Sequence, residues 1–354
     1  MIYKLAVLVI MLFTSCIVVA SAKTNYDKND IIIKDLKMYV QGKEFFVKGI
    51  NYEPTPLGIT KMGNAGLSGG GYCSVRRNYL GNIQSACFLK DYYDGMVNDA
   101  VTKYPAPDGP WFEEVWERDL PIIKELGANT IRVYNMQPFT KTLFNKFSTL
   151  FGPPLYTYPN QGAEHKPFLD AVHKYGLMAI VPIVSEEETL SLRTDEELYA
   201  MIEARVDELG NHPALLMWCI GNNLGLVSKD ELRATVNRMI EKVKSYMLEK
   251  WNRVVPVTSA ESDVPPAYLP LVKDLKIDVF TANVYRGAYL SKFWRPDPTE
   301  DLKTFPGWAA ISKNYNIPLL LGEFGAHHQE KETQSQQDWI NMQIKAMYTA
   351  RRDG

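Results

Sequence analysis

A parallel α/β barrel of the (β/α)8 type is the architecture this sequence predicts, and three observations point to it. Short, almost continuously apolar runs alternate with amphipathic stretches along most of the chain, the pattern of strands buried on both faces. Polar residues gather where each apolar run ends, and in a barrel those ends converge on one binding face. No Gly-x-Gly-x-x-Gly follows the first run, which removes the main support for a dinucleotide-binding sheet. An open doubly wound sheet is the alternative.

The elements follow in order. Lys4 precedes an apolar run that extends to Ala20, and Ala20-Ser21-Ala22 fits a small-residue cleavage pattern, so residues 1–22 read as a secretory signal peptide. An uncleaved membrane anchor is the alternative. No other long apolar run exists, so the expectation is a secreted or luminal protein with no stable membrane insertion after cleavage. Residues 23–44 form an N-terminal β-hairpin segment turning at Gln41-Gly42. The barrel occupies 45–354, with strands expected at 46–52, 130–134, 177–184, 214–220, 254–259, 278–285 and 319–324. Helices are expected at 112–126, 167–175, 195–209, 229–250, 266–275, 307–315 and 334–352. The fourth of these carries Leu232, Val236, Met239, Ile240, Val243 and Met247 at helical spacing, which marks one buried face. Thr194 and Ser228 read as N-caps, Ser228 within a Ser-x-x-Glu box, and Gly127, Gly176 and Gly210 stand at helix ends.

That makes seven strand–helix units, after which the chain stops where an eighth strand would begin: it is truncated there, or the barrel is left open. A Gly-rich insertion, residues 53–110, follows the first strand and is expected to wall a cleft. Within it Cys73 and Cys87 are placed to close a short loop by a disulfide in an oxidising compartment. Cys219 reads as a buried thiol.

The 354 residues carry 41 acidic and 39 basic side chains, a net charge of −2, with 46% hydrophobic residues. This balance excludes a disordered chain and gives no electrostatic footprint for nucleic acid. No His/Cys spacing resembles a zinc site, His327-His328 are adjacent and diverge, and no metal or cofactor is expected.

Glu323 is the sharpest chemical signal. It ends the apolar run Leu319-Leu320-Leu321-Gly322, and a buried carboxylate is costly unless paired or hydrogen-bonded. It is a site residue, or half of a structural ion pair with Arg132.

Five motifs in order carry a resemblance: Phe45 to Tyr52, Leu126 to Tyr134, Met217-Trp218-Cys219-Ile220-Gly221-Asn222, Asn283-Val284-Tyr285 and Gly322-Glu323-Phe324-Gly325. From Phe45 onward the chain resembles the clan A glycoside hydrolases, in particular the family 2 catalytic barrels and the family 72 β-1,3-glucanosyltransferases. The resemblance implies a retaining reaction on a β-linked glycan in which one carboxylate attacks the anomeric carbon and another works as acid and base. It assigns Glu323 as nucleophile, Arg132 and Tyr285 as the groups that hold it ionised, and Asn222 as the ligand of the sugar 2-hydroxyl. Tyr52, Tyr134, Trp218, Trp294 and Trp308 are candidates for stacking on sugar faces, or core residues.

The sequence departs from that pattern at one position. Where the family reads Gly-Asn-Glu, this chain reads Gly221-Asn222-Asn223, and an amide is no proton donor near neutral pH. Three explanations stand: a pseudoenzyme that keeps the cleft as a carbohydrate-binding site, a substitute acid among Glu186, Glu187, Glu188 and Glu261, or a substrate that assists its own leaving group.

Overall fold

The computed structural model describes residues 29–52, 72–77, 83–88, 111–134, 136, 165–184, 190–191, 193–226, 229–262, 272–285, 308–325 and 336–352. The signal segment, most of the 53–110 insertion, Glu186–Glu188 and Trp294 lie outside them.

The N-terminal segment is a three-stranded antiparallel meander of β1 (Ile31–Lys34), β2 (Lys37–Val40) and β3 (Lys43–Phe45). A single hairpin was expected. The second tight turn, Asp35-Leu36, has φ of 50° and 62°, the left-handed pair that a two-residue hairpin loop demands, but it lacks the Asn or Gly that normally announces one. Gln41-Gly42 makes the other turn, with φ of 52° and 72°.

After β4 (Gly49–Asn51) comes an antiparallel pair inside the insertion, β5 (Tyr72–Arg77) with β6 (Ile83–Phe88), whose register sets Cys73 opposite Cys87. Strand and helix then alternate: α1 (Trp111–Glu125), β7 (Thr130–Arg132), α2 (Lys166–Lys174), β8 (Met178–Val184), α3 (Asp195–Leu209), β9 (Leu215–Asn222), α4 (Asp230–Trp251), β10 (Val257–Ser262), β11 (Val279–Asn283), α5 (Trp308–Tyr315), β12 (Leu319–Glu323) and α6 (Gln336–Arg352). Of the helix expected at 266–275, residues 272–275 are described, as a single tight turn. Thr194 caps α3 in a complete capping box with Glu197. Helix α4 begins one residue later than expected, with Lys229 in the cap position and no side-chain cap; Ser228 is outside the described residues.

Seven strands form one parallel sheet in the order β12-β11-β10-β9-β8-β7-β4. β7 and β12 stand five strand spacings apart, which in a flat sheet would be about 24 Å. The side chains of Arg132 on β7 and Glu323 on β12 nevertheless meet at 3.1 Å, so the sheet is curled into a nearly closed barrel. Among the described residues no strand pairs with the free edges of β4 and β12.

Two apolar layers follow from the curl. The outer one joins the sheet to the helices and includes the predicted face of α4. The inner one fills the barrel with Ile180, Leu216, Met217, Cys219, Ala260 and Val279, and the meander closes its lower end with Ile31 and Met38. Arg253, 3% exposed, locks that plug. Its guanidinium donates to the carbonyls of Asn29, Gly210, His212 and Leu215 at 2.8–3.1 Å, while Asp30 Oδ1 accepts from the Val254 N–H at 2.7 Å. Arg253→Ala strips these carbonyls of their donor and leaves a void. The expected cost is about 2–4 kcal/mol, read as a lower urea midpoint at unchanged slope, with the N-terminal meander becoming the first site of limited proteolysis.

Candidate active site

The upper ends of β7, β9, β11 and β12 bring Arg132, Asn222, Asn283 and Glu323 to one place. Arg132 is the hub, with its side chain 6% exposed. Nη1 donates to Glu323 Oε1 and to Asn283 Oδ1, both at 3.1 Å, and Nη2 donates to Asn222 Oδ1 at 2.7 Å. An Arg132–Glu323 ion pair is therefore present, and it sits inside a larger network. The contacts also remove the open-sheet alternative, in which Glu323 would lie far from Asn222 and Arg132.

Glu323 keeps 15% of its side chain exposed and accepts two further bonds. Tyr134 donates its hydroxyl to Oε1 at 2.8 Å, and Tyr285 donates to Oε2 at 2.9 Å. The Tyr285 hydroxyl is pushed up to about 12, by burial first and then by its bond to the Glu323 carboxylate. The Tyr134 hydroxyl is raised further, again chiefly by burial. Both phenols thus stay protonated donors across the ordinary pH range. Tyr134 was a candidate for sugar stacking. Its ring instead carries the Arg132 guanidinium 4.6 Å from its centroid, so one face is already covered.

Asn283 was noted in the sequence only as part of a strand-end motif, and its role in the site was missed. It is 5% exposed, and its Nδ2 donates to Asn222 Oδ1 at 3.0 Å and to Asn223 Oδ1 at 2.9 Å. It enters the site through its register, with Ser262 on one side and Glu323 on the other, which no local sequence pattern marks. Asn223 follows the end of β9 in a left-handed conformation, φ 56°, which Asn tolerates better than most residues. Its N–H bonds Ala260 O at 2.8 Å, and its Oδ1 also accepts from the Ser262 hydroxyl at 3.2 Å.

Three expectations are corrected. Trp218 is fully buried in the outer layer between sheet and helices, because its side chain points out of the barrel. Tyr52 is 7% exposed, stacks on Phe168 and donates to Asp119 Oδ2 at 3.2 Å; both are core residues, unavailable to a sugar. Glu261 is fully buried and pairs laterally with Ala282 of the outer layer, on the face away from Asn283. Its carboxyl accepts from the Leu226 N–H at 2.8 Å and the Ser259 hydroxyl at 3.1 Å. Burial pushes that carboxyl up, and it holds the turn after β9 rather than standing in for an acid. Glu186, Glu187, Glu188 and the Trp294 side chain are outside the described residues, as is the side chain of Trp308.

Gly322 makes the cluster possible. A Cβ there would fall 2.6 Å from both Asn283 Oδ1 and Thr281 Cγ2, and 3.1 Å from Arg132 Nη1. Gly322→Ala is expected to cost about 1–3 kcal/mol through this overpacking. Urea unfolding measures the loss, and a crystal structure of the variant should show Asn283 and Arg132 displaced.

No protein-family model matches the chain. Curated proteins do. The 1,3-beta-glucanosyltransferase GAS2 of Saccharomyces cerevisiae is 23% identical over 298 residues, 81% of this chain and 42% of that protein. The 1,3-beta-glucanosyltransferase gel1 of Aspergillus fumigatus is 21% identical over 304 residues, 82% of this chain and 57% of its own length. The chain therefore spans only about half of the relatives it matches. Among solved structures, a β-D-glucuronidase of Dictyoglomus thermophilum superposes with a TM-score of 0.50 at 15% identity, covering 90% of this chain and 44% of that one. By sequence the chain is similar to 1,3-β-glucanosyltransferases, and by fold it is a parallel α/β barrel of the (β/α)8 kind.

Proposed function

We propose that this protein is a retaining glycosidase or transglycosidase in type, acting on a β-linked glucan at the upper face of its barrel. The observation that carries the proposal is the Glu323 carboxylate, partly open to that face and held by one guanidinium and two phenols. Oε1 accepts two of these bonds and Oε2 one, so Oε2 is the freer oxygen to attack an anomeric carbon. Asn222, oriented by Arg132 and Asn283, is suited to bind the sugar 2-hydroxyl next to that carbon. The glucan follows from the likeness to 1,3-β-glucanosyltransferases. The protein is secreted or luminal, with a Cys73–Cys87 disulfide; peptide mapping without reductant should recover the two cysteines in one linked peptide.

One observation favours a second reading, a carbohydrate-binding protein that has lost catalysis: Asn223 stands where the acid/base would be. General acid help is typically worth 10²–10⁴-fold, so an ordinary glucan linkage would be cleaved very slowly.

Asn223→Glu decides between the two. If the rest of the site is competent, the variant should gain hydrolysis or transfer on laminari-oligosaccharides by about 10²-fold or more. Persistent binding with no gain leaves the binding reading. Glu is disfavoured at φ 56° by roughly 1 kcal/mol, so Asn223→Asp, which tolerates that backbone better, runs beside it. For the wild type, 2,4-dinitrophenyl β-glucoside needs no acid. Intact-protein mass should gain one glucosyl unit, lost on adding azide, and Glu323→Gln should abolish the adduct.

A further inference from the structure

The amide orientations in this site follow from one group. A guanidinium has only donors, so the atoms that Arg132 touches on Asn222 and Asn283 are their oxygens. Asn283 then has only its Nδ2 to offer Asn222 and Asn223, and it offers it to both. The atom of Asn223 facing Asn283 is therefore Oδ1, which the Ser262 hydroxyl also occupies. By this chain of exclusions Asn222 and Asn223 both turn their Nδ2 groups away from the network. Neither Nδ2 has a protein acceptor among the described residues, and Asn223 is exposed at the mouth of the barrel. The acid position is thus occupied by an N–H donor of fixed direction, a group that can hold an oxyanion but cannot supply a proton.

We infer that the physiological donor substrate is a glycosyl compound whose leaving group departs as a stable oxyanion, a glycosyl carboxylate ester or a glycosyl phosphate, and that the β-linked glucan enters as the acceptor rather than as the donor. This rests on the reading of Glu323 as nucleophile. In the first step a Glu323 oxygen bonds to C1 while the bond from C1 to the leaving oxygen breaks. The electron pair leaves with the carboxylate or phosphate, whose negative charge the Asn223 N–H stabilises, and no proton moves. In the second step an incoming oxyanion, or an acceptor hydroxyl that gives its proton to solvent, attacks C1 and returns the Glu323 carboxylate. Asn283 is a positioning residue in both, since it keeps the Asn223 oxygen turned inward.

The test is a leaving-group series on the full wild-type protein: 1-O-benzoyl β-D-glucose, β-D-glucose 1-phosphate, 2,4-dinitrophenyl β-glucoside, 4-nitrophenyl β-glucoside and methyl β-glucoside. The expected result is a kcat/KM that falls on the order of tenfold per unit rise in leaving-group pKa among the aryl glucosides. Methyl glucoside should be inert, and the ester or the phosphate should be turned over; which of the two reacts identifies the oxyanion. Asn283→Asp turns an oxygen toward Asn223 and should flip that amide, lowering kcat for the ester about 10²-fold while KM changes little. Asn283→Ser, which keeps a donor, should recover part of the loss. Similar rates for methyl and dinitrophenyl glucosides would reveal a working proton donor and overturn the inference while leaving Glu323 as nucleophile. A dinitrophenyl adduct with neither ester nor phosphate consumed overturns it as well. No adduct from any compound overturns the nucleophile reading, and the inference falls with it.

Discussion

The site depends on a buried guanidinium that can only donate. Arg132 is almost wholly removed from water, and a charge in that position is costly unless every partner presents an oxygen. Three strands supply those oxygens, Asn222 from β9, Asn283 from β11 and Glu323 from β12, so one side chain fastens together the ends of strands that share no direct ladder with β7. The arrangement is also interdependent. Removing one oxygen leaves the guanidinium short of a partner, and removing the guanidinium frees two amides to turn over. Gly322 supplies the space for this convergence by having no side chain.

The barrel around that cluster is uneven. Strands β7 to β11 are buried along nearly their whole length, whereas β12 is only partly covered and β4 is largely exposed. Among the described residues these are the two margins of the sheet that pair with no further strand. Helix α6, which follows β12, keeps Met342, Ile344 and Tyr348 well exposed. The candidate nucleophile therefore stands on the less enclosed side of the molecule, and its ion pair with Arg132 ties that margin back to the buried half.

Much of this was legible in the chain because strand ends and burial leave strong marks. A run such as Leu215–Ile220 is too apolar to be anything but core, and a carboxylate that ends an apolar strand, as Glu323 does, has to be explained by a partner. The same reasoning failed for Trp218 because the alternation in β9 is broken. Leu216 and Met217 both face the barrel interior, and the pairing with β8 slips between Ala179 and Ile180. That irregularity sends Trp218 outward and Cys219 inward, and nothing in the local sequence announces it. Tyr52 was misread for a related reason, since its position at a strand end suited a ligand contact while Phe168 and Asp119, over sixty residues away, claim it. Asn283 could not be recognised as the orienting amide from composition, because its role exists only once three strands are in register.

The meander that plugs the barrel has a consequence for how the molecule is made. Asn29 and Asp30 find their partners in Arg253 and Val254, 224 residues later. The first segment to be synthesised thus has nothing to dock against until most of the barrel has emerged, and contacts of such long range close slowly. Ile31 and Met38, buried in the finished fold, have no barrel interior to enter until then. Two tight turns are local enough to fold the meander early and to pair its apolar residues with one another while it waits. Seating this plug waits on Arg253 and Val254, and it completes the floor of the barrel.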